Sequence, residues 1–384
     1  MIIGIDARMY GLKHAGIGRY VENLVNKLLA IDDNNQYILF VRKEDEKWFR
    51  VDVVGNNREK VKIVVVDAKH YSLKEQVIFP YILFKQKVDL MHFPHFNVPI
   101  LYRGKYIVTI HDLLWHDTKG GGVTTLSPFF YTIKYLGYRI VFSNAVKRAI
   151  KILTPSNWVK NKLLIAYHID SNNIHVVYEG IADRYLQKND GLKDIKQKAS
   201  ILLKNKFNIT KPFFIYTGSA YPHKNLEILL LAMVEFKDYQ LVIACARDVF
   251  WEKLKVLVLK YSLTNQIRLL GFVPDEEIKI LYKEAAAFIF PSLNEGFGLP
   301  GIEAMACGCP VISSNRTALM EIYRNAALYF DPLNVVELKG CMKKILNLKT
   351  KSIFASKGYL LIKQYNWLQT AKETLKVYES CFSL

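Results

Sequence analysis

The chain has 384 residues, a length that favours two domains over a single hydrophobic core. Hydrophobic residues make up 51% of it, which excludes an intrinsically disordered protein. The formal net charge is +18 at pH 7, so the protein should be attracted to polyanions such as nucleic acid, anionic lipid or a phosphorylated small molecule.

The first half of the chain reads as alternating strands and helices. An apolar run, IIGID, is followed by a turn-rich segment, ARMYGLKHAGIG, and then by RYVENLVNKLLA, whose apolar residues recur at helical spacing. Four further short apolar runs are predicted as buried strands: QYILFV, KIVVV, VDLMHF and YIVTI. This alternation predicts an α/β domain with a largely parallel sheet.

A segment without acidic residues follows, between Asp117 and Asp170. Its basic residues are Lys119, Lys134, Arg139, Lys147, Arg148, Lys151, Lys160 and Lys162. An aromatic stripe at helical spacing within it, which we expect to pack in the core, consists of Tyr131, Tyr135, Tyr138 and Phe142. Our hypothesis is that the surface of this segment meets anionic membrane lipid and a diphosphate-linked lipid acceptor.

A second alternating series begins near residue 212. It runs through PFFIYTG, the helical NLEILLLAMVEF, YQLVIAC, a helix around 250–261, IRLLG, AAAFIF and PVISS. We therefore predict two doubly wound α/β domains that face each other across a cleft, with ligands beyond the carboxyl ends of the strands. The expected parts are a first domain 1–186, a charged interdomain region 187–211, a second domain 212–360 and a C-terminal segment 361–384.

The cellular compartment is indicated by three features. No apolar run is long enough for a membrane-spanning helix, and Asp6 and Arg8 interrupt the start where a secretory signal would be apolar. The five cysteines have no framework spacing, which is typical of reduced thiols. We expect a cytoplasmic protein, with peripheral binding to the cytoplasmic face of the membrane as an option.

The stretch PSLNEGFGLPGIEAMACGCPVISS, residues 291–314, is predicted as a strand end, a loop and a helix. Pro300 suits the first helical turn, and Gly308 is a candidate C-cap. The backbone amides of Phe297, Gly298 and Leu299 would then lie at a helix N-terminus, which attracts anions such as phosphate. Gly296, like Gly298, allows the backbone to approach a ligand closely.

Two acids flank this turn. Glu295 lies in the loop, and Glu303 lies about one turn into the helix. Carboxylates accept paired hydrogen bonds from hydroxyl groups, as a sugar on one side and a ribose on the other would require. The pattern therefore indicates a nucleotide sugar bound at both ends.

EGFGLPGIE resembles the E-x7-E motif of retaining GT-B glycosyltransferases, most closely the family-4 group. Further segments fall in that family's order and spacing: GIDARMYGLKHAGIGRYVENL, VTIHDL, LTPSNW, YTGSAYPHKNLEILLLA, GFVPDEEIKILYKEA and NAALYFDP. The resemblance covers nearly the whole chain. It implies the GT-B fold, two facing Rossmann-like domains with a central cleft and a C-terminal helix that crosses back to the first domain.

The resemblance also implies roles for individual residues. Glu295 would bind hydroxyls of the transferred sugar, and Glu303 would bind the ribose. The amides of Phe297 to Leu299 would contact the sugar and the diphosphate. Lys224 would neutralise the departing diphosphate. Two glycines taken as loop residues, Gly16 and Gly18, would let the first domain's backbone close on the ligands, and His111 would face the anomeric carbon.

One position departs from the family pattern. Many relatives have Arg where this chain has Ser219, so a second basic partner for the diphosphate is missing from its usual place. Arg247 is the candidate replacement.

The reaction implied is transfer of a hexosyl group from a nucleoside diphosphate sugar to a saccharide or lipid-linked saccharide hydroxyl. It would proceed with retention, by same-face attack, and without metal or other cofactor; the sequence contains no D-x-D pair. Likeness to bacterial mannosyltransferases favours GDP-mannose as donor, with UDP-sugars close behind. Surface polysaccharide or glycolipid assembly is the expected setting.

Several alternatives stay open. A metal site could draw on His111, Asp112, His116 and Asp117, or on Cys307 and Cys309, although we expect packed residues and no metal. His92 and His95 are expected to be packed or acceptor-side residues. Alternative functions are a phosphorylase or epimerase on the same fold and a basic nucleic-acid-binding protein, the latter without any recognisable nucleic-acid-binding motif.

Overall fold

The structure is a computed structural model that describes residues 1–11, 14–54, 59–117, 128–186, 199, 201–245 and 247–382. It divides into two compact units, the first formed by Met1–Gly180 with Trp367–Leu384 and the second by Ile181–Asn366. Each unit contains one parallel sheet with helices, which confirms the prediction of two α/β domains.

The first unit has a seven-stranded sheet in the order β3-β2-β1-β4-β5-β6-β7, and all its strand pairs are parallel. Its strands are β1 Ile2–Asp6, β2 Gln36–Val41, β3 Val61–Val65, β4 Leu90–Phe93, β5 Tyr106–Thr109, β6 Lys151–Thr154 and β7 Ile174–Val176. The apolar runs predicted as strands form β1 to β5. The strands β6 and β7 were not predicted, because they are short and carry Lys151 and His175.

Before residue 181, the described α-helices of four or more residues in this unit are α1 Ala15–Ile31, α2 Leu73–Gln86, α3 Leu114–Asp117, α4 Pro128–Arg148 and α5 Asn157–Tyr167. Of the aromatic stripe that was expected in the core, Phe142 of α4 is fully buried and Tyr138 packs against the same core cluster. Tyr131 and Tyr135 are half-buried and stack on each other, with ring centroids 6.0 Å apart. No helix in the described ranges is both long and apolar enough to span a membrane.

The second unit has a six-stranded parallel sheet in the order β10-β9-β8-β11-β12-β13. Its strands are β8 Phe213–Thr217, β9 Gln240–Ala244, β10 Ile267–Leu269, β11 Phe288–Phe290, β12 Val311–Ser314 and β13 Ala327–Phe330. Its described α-helices of four or more residues are α6 Asp183–Leu186, α7 Glu227–Met233, α8 Val249–Lys260, α9 Asp275–Glu284, α10 Leu299–Ala306, α11 Leu319–Tyr323, α12 Val335–Ile345 and α13 Leu348–Leu361.

The boundaries of the units differ from those expected at residues 186 and 360. The first boundary falls at Gly180, because α6 packs against α10 of the second unit. Within the expected interdomain region 187–211, residues 187–198 and 200 lie outside the described residues. At its end, Phe207 and Ile209 are buried in the second unit.

The last helix, α14 Trp367–Ser380, belongs to the first unit and packs against α1. The rings of Trp367 and Tyr20 lie 5.8 Å apart, and the Tyr378 hydroxyl lies 2.7 Å from Nδ1 of His92. Apolar burial and a buried hydrogen bond therefore hold the C-terminal helix on the first unit.

Gly16 and Gly18 were expected in a loop. They lie instead in the first turns of α1. The carbonyl of Gly18 accepts a hydrogen bond from the Gly11 amide at 3.2 Å. A Cβ atom at Gly18 would lie 1.9 Å from the Gly11 carbonyl oxygen. Gly18 thus lets the loop after β1 pack against the helix, and apolar spacing alone does not show this helix start.

Each sheet reverses its strand order at one place. In the second unit β9 and β10 lie on one side of β8, whereas β11, β12 and β13 lie on the other. Loops that leave adjacent strands in opposite directions at such a point leave a crevice beyond the carboxyl ends of the strands. In the second unit these loops are residues 218–226 and 291–298.

Candidate functional site

Lys224 and Glu295 meet at the reversal point of the second sheet. Lys224 ends a short 3-10 turn, Pro222–Lys224, in the loop after β8, and Glu295 lies in the loop after β11. Lys224 Nζ lies 2.5 Å from Glu295 Oε1, and the two side chains are 15% and 12% exposed. The second unit therefore places a paired cation and anion where doubly wound sheets bind ligands.

Hydrogen bonds to backbone groups hold the two loops in place. The amide of Leu293 donates to the carbonyl of His223 at 2.7 Å, and the hydroxyl of Ser292 donates to the same oxygen at 3.2 Å. The amide of Glu295 donates to the hydroxyl of Thr317 at 3.1 Å. The positions of Lys224 and Glu295 are thus fixed by the backbone as well as by their own ion pair.

The helix α10 begins directly after the second loop. Gly298 is its N-cap with φ +96°, and Leu299 and Pro300 form the first two helical positions. The Gly298 carbonyl accepts a hydrogen bond from the buried Tyr323 hydroxyl at 2.5 Å. Gly296 lies in the loop just before, and Phe297 packs edge-on against Tyr365 at 5.5 Å. The N-terminus of α10, with its positive dipole end, is thereby held beside the loop of Glu295.

Glu303 lies about one turn into α10 and is only 7% exposed. A buried carboxylate is costly unless it is hydrogen-bonded or paired. Glu295 and Glu303 are therefore not solvated surface acids. Gly308, with φ +76°, follows the C-cap Cys307, in line with its expected place at the helix end.

The two positions named for the missing basic residue follow the neighbouring strands β8 and β9. The Ser219 carbonyl accepts a hydrogen bond from the Tyr216 hydroxyl at 2.7 Å. Arg247 follows β9, where its guanidinium lies 5.4 Å from the centre of the Trp251 ring and packs over Gly271. Arg247 is thus placed on the β9–β10 side of the site.

His223, next to Lys224, was not singled out from the sequence. Burial and then the charge of Lys224 lower the pKa of His223 to about 4, against a smaller opposite effect of Glu295. Its imidazole is neutral near pH 7, so Lys224 is the cation of this turn.

His111 lies in the first unit, directly after β5. Its Nε2 is 3.0 Å from the carbonyl of Pro94, and its Nδ1 is 3.1 Å from Oε1 of Glu179. Burial lowers the pKa of His111, but the hydrogen bond and charge of Glu179 outweigh it and the net pKa is raised. Since both partners accept hydrogen bonds, the geometry favours the protonated ring, in which both nitrogens donate.

Glu179 is 4% exposed and was not identified from the sequence. Its partner is 68 residues away along the chain, so no local spacing connects the two. The only available signal was an acid directly after an apolar stretch, VVYEG, at the end of a strand.

Two further histidines of the first unit, His92 and His116, lie within hydrogen-bond distance of hydroxyl groups. His92 is fully buried, and its Nε2 lies 2.8 Å from the Thr109 hydroxyl. His116 lies 2.7 Å from the hydroxyls of both Tyr138 and Tyr167. In the part of the chain that the structure describes, no group of three or more His, Cys, Asp or Glu residues could hold a metal ion.

Two family matches cover most of the chain. Residues 14–184 match the family described as Glycosyltransferase Family 4, and residues 197–359 match Glycosyl transferases group 1. The two matches correspond closely to the two sheets, one family for each unit.

Curated relatives include two bacterial proteins. The chain is 31% identical to the O-antigen chain mannosyltransferase RfbU of Salmonella typhimurium over 65% of this chain and 63% of that protein. It is 29% identical to the O-antigen chain mannosyltransferase B of Escherichia coli over 59% of this chain and 60% of that protein. The matches thus span about three fifths of these relatives' lengths.

Solved structures share the fold over the whole chain. Sucrose-phosphate synthase from Thermosynechococcus elongatus has a TM-score of 0.78 at 18% identity, with 100% of this chain and 99% of that chain covered. WaaG, a glycosyltransferase involved in lipopolysaccharide biosynthesis, has a TM-score of 0.74 at 12% identity, with 98% and 99% covered. The architecture of two parallel-sheet units is that of the GT-B fold.

Proposed function

The chain belongs to the family-4 glycosyltransferases, and on that premise we propose that it transfers a mannosyl group from a nucleoside diphosphate sugar to a saccharide hydroxyl. The acceptor would be a free or lipid-linked saccharide in the assembly of a surface polysaccharide. The O-antigen relatives support this choice over a phosphorylase, an epimerase or a nucleic-acid-binding protein.

The observation that carries the proposal is the Lys224–Glu295 ion pair beside the N-terminus of α10. A nucleotide sugar offers a diphosphate to the ammonium of Lys224 and to the amides of Gly298 and Leu299. It offers sugar hydroxyls to Glu295 and ribose hydroxyls to Glu303. On binding, the donor would thus replace the Lys224–Glu295 ion pair with a contact from Lys224 to the diphosphate and a contact from Glu295 to the sugar.

We propose GDP-mannose as the donor and retention at the anomeric carbon. In same-face attack the bond from the anomeric carbon to the diphosphate oxygen breaks as the bond to the acceptor oxygen forms. The acceptor's proton passes to the departing diphosphate, whose charge Lys224 stabilises. His111, as an imidazolium, is proposed to favour the same build-up of negative charge, and no metal is required.

The test is release of nucleoside diphosphate from a panel of sugar nucleotides, with and without EDTA, with saccharide acceptors added. We expect release from GDP-mannose that EDTA does not abolish, and mannosyl transfer with retained anomeric configuration. Lys224→Ala and Glu303→Ala should lower turnover by about 100-fold or more while the protein stays folded. No release from any sugar nucleotide, or near-normal turnover in both variants, would contradict the proposal.

We also propose that α4 binds an anionic membrane surface on the cytoplasmic face. The helix contains no acidic residue, and it exposes five large apolar side chains that are 52–70% exposed: Phe129, Phe130, Ile133, Leu136 and Ile140. Lys134 and Arg139 are exposed on the same helix. Apolar side chains for the acyl boundary together with cations for anionic headgroups match a lipid surface.

Vesicle flotation tests the membrane proposal. We expect recovery with vesicles that contain anionic lipid to exceed recovery with neutral vesicles. The triple change Phe129→Ser, Phe130→Ser and Leu136→Ser should weaken binding by about tenfold or more. Val256→Ser with Leu259→Ser, at exposed apolar positions of α8, is the matched control. Equal recovery with neutral and anionic vesicles would remove the proposal.

A further inference from the structure

Tyr71 is an exposed aromatic residue in a left-handed backbone conformation. It lies between β3 and α2, with φ +63° and 62% of its surface exposed. An L-residue is strained in this region, where glycine and asparagine are favoured. Eight non-glycine residues in the described ranges have positive φ, and Tyr71 is the only tyrosine among them. Most of the ring surface is nevertheless exposed, so it is available for contact with a ligand.

A buried ionic network imposes this conformation. The amide of Tyr71 donates to Oε2 of Glu75 at 2.8 Å, and Glu75 is fully buried. The same carboxylate accepts hydrogen bonds from Arg8 Nη2 and Asn97 Nδ2, both at 2.7 Å. Arg8 in turn is paired with Asp6 at 2.7 Å. Because Glu75 is held by two other side chains, it fixes the backbone of Tyr71.

The ring of Tyr71 stands at the end of the sheet where His111 lies. Its centroid is 6.0 Å from that of His95 and 6.1 Å from that of Phe96. Pro94, the residue before His95, is the one whose carbonyl accepts from His111. The loops after β3, β4 and β5 therefore bring Tyr71, His95 and His111 to one edge of the first unit.

We propose that Tyr71 is the platform on which a saccharide ring of the acceptor stacks, and that His95 hydrogen-bonds one of its hydroxyls. This inference rests on the proposed glycosyltransferase function. A pyranose has an apolar C–H face that fits the π-face of an aromatic ring, and hydroxyls at its rim that fit an imidazole. The fixed backbone would present the ring with little loss of conformational entropy on binding.

The test compares Tyr71→Asn, which removes the ring and suits the left-handed backbone, with Tyr71→Phe, which keeps the ring. Tyr81→Asn is the matched control, because Tyr81 is a 58% exposed tyrosine on α2. Saturation-transfer NMR with the methyl α-glycosides of mannose, galactose, glucose and N-acetylglucosamine measures acceptor binding directly. The rate of nucleotide release is then measured with and without the glycoside that binds most tightly. The difference between the two rates separates transfer to the acceptor from hydrolysis of the donor.

We expect saturation transfer to at least one glycoside in the wild type, Tyr71→Phe and Tyr81→Asn, and its loss in Tyr71→Asn. The acceptor KM should rise tenfold or more in Tyr71→Asn and less than threefold in the other two variants. The proposal is overturned if the wild type binds none of the glycosides or if Tyr71→Asn matches the wild type. Absence of nucleotide release from all sugar nucleotides would instead remove the proposed function, since glycoside binding is measured without a donor.

Discussion

At the residue scale, Glu179 controls the charge of His111. We expect Glu179→Gln to lower the pKa of His111, because the attraction of the carboxylate disappears while burial, which lowers that pKa, remains. NMR titration of the imidazole measures the shift. His175, whose charged neighbours are Lys151 and Lys160, is the internal control and should titrate as in the wild type. An unchanged pKa of His111 in Glu179→Gln would contradict the role of Glu179 in raising that pKa.

The same pair links stability to pH. The pKa of His111 is raised above its ordinary value of 6.5, so the pair stabilises the fold below that pH. This stabilisation is lost as the pH rises through the raised pKa. The difference in free energy of unfolding between wild type and Glu179→Gln should therefore be larger at about pH 5.5 than at about pH 9. If the difference in free energy of unfolding increased with pH, it would contradict a raised pKa of His111.

At the element scale, the N-terminus of α10 depends on glycine at position 298. A Cβ atom there would lie 2.5 Å from the Tyr323 hydroxyl and 2.6 Å from Leu319 Cδ2. We expect Gly298→Ala to cost about 1–2 kcal/mol for the left-handed backbone and about 1–3 kcal/mol for the collision. Gly308→Ala, with φ +76° and no atom within 4 Å, should show only the backbone cost. If urea denaturation gave equal losses in free energy of unfolding for Gly298→Ala and Gly308→Ala, a collision at position 298 would be excluded.

The sequence predicted the elements that have long apolar runs or a distinctive turn. It found β1 to β5, β8 to β12 and the loop and helix that carry Glu295 and Glu303. It did not find β6, β7 and β13, since strands of three or four residues show no clear period. The Lys224–Glu295 and His111–Glu179 pairs join residues 71 and 68 positions apart. Such pairings follow from the strand order, which local patterns do not contain.

At the scale of the whole molecule, the C-terminal helix α14 completes the first unit. Trp367 is 2% exposed, and its replacement by Ala should cost about 3–5 kcal/mol. Because Trp367 packs on Tyr20 of α1, we expect faster hydrogen exchange in α1 and β1 and unchanged exchange in β8 to β12. Leu368→Ala, at a 36% exposed neighbour, is the control. Equally faster hydrogen exchange in both units would contradict the assignment of α14 to the first unit.

The central claim is that the loops after β8 and β11, together with α10, bind the donor. The most direct measurement is calorimetric titration of GDP-mannose and of GDP into wild type, Lys224→Met, Glu295→Gln and Glu303→Gln. Lys224→Met and Glu303→Gln should weaken both ligands by about 10- to 100-fold, since each removes a hydrogen bond that involves a charged group. Glu295→Gln should weaken GDP-mannose alone, because the proposed partner of Glu295 is the sugar, and in the free protein its carboxylate is paired with Lys224. Wild-type affinities in all three variants would contradict the claim.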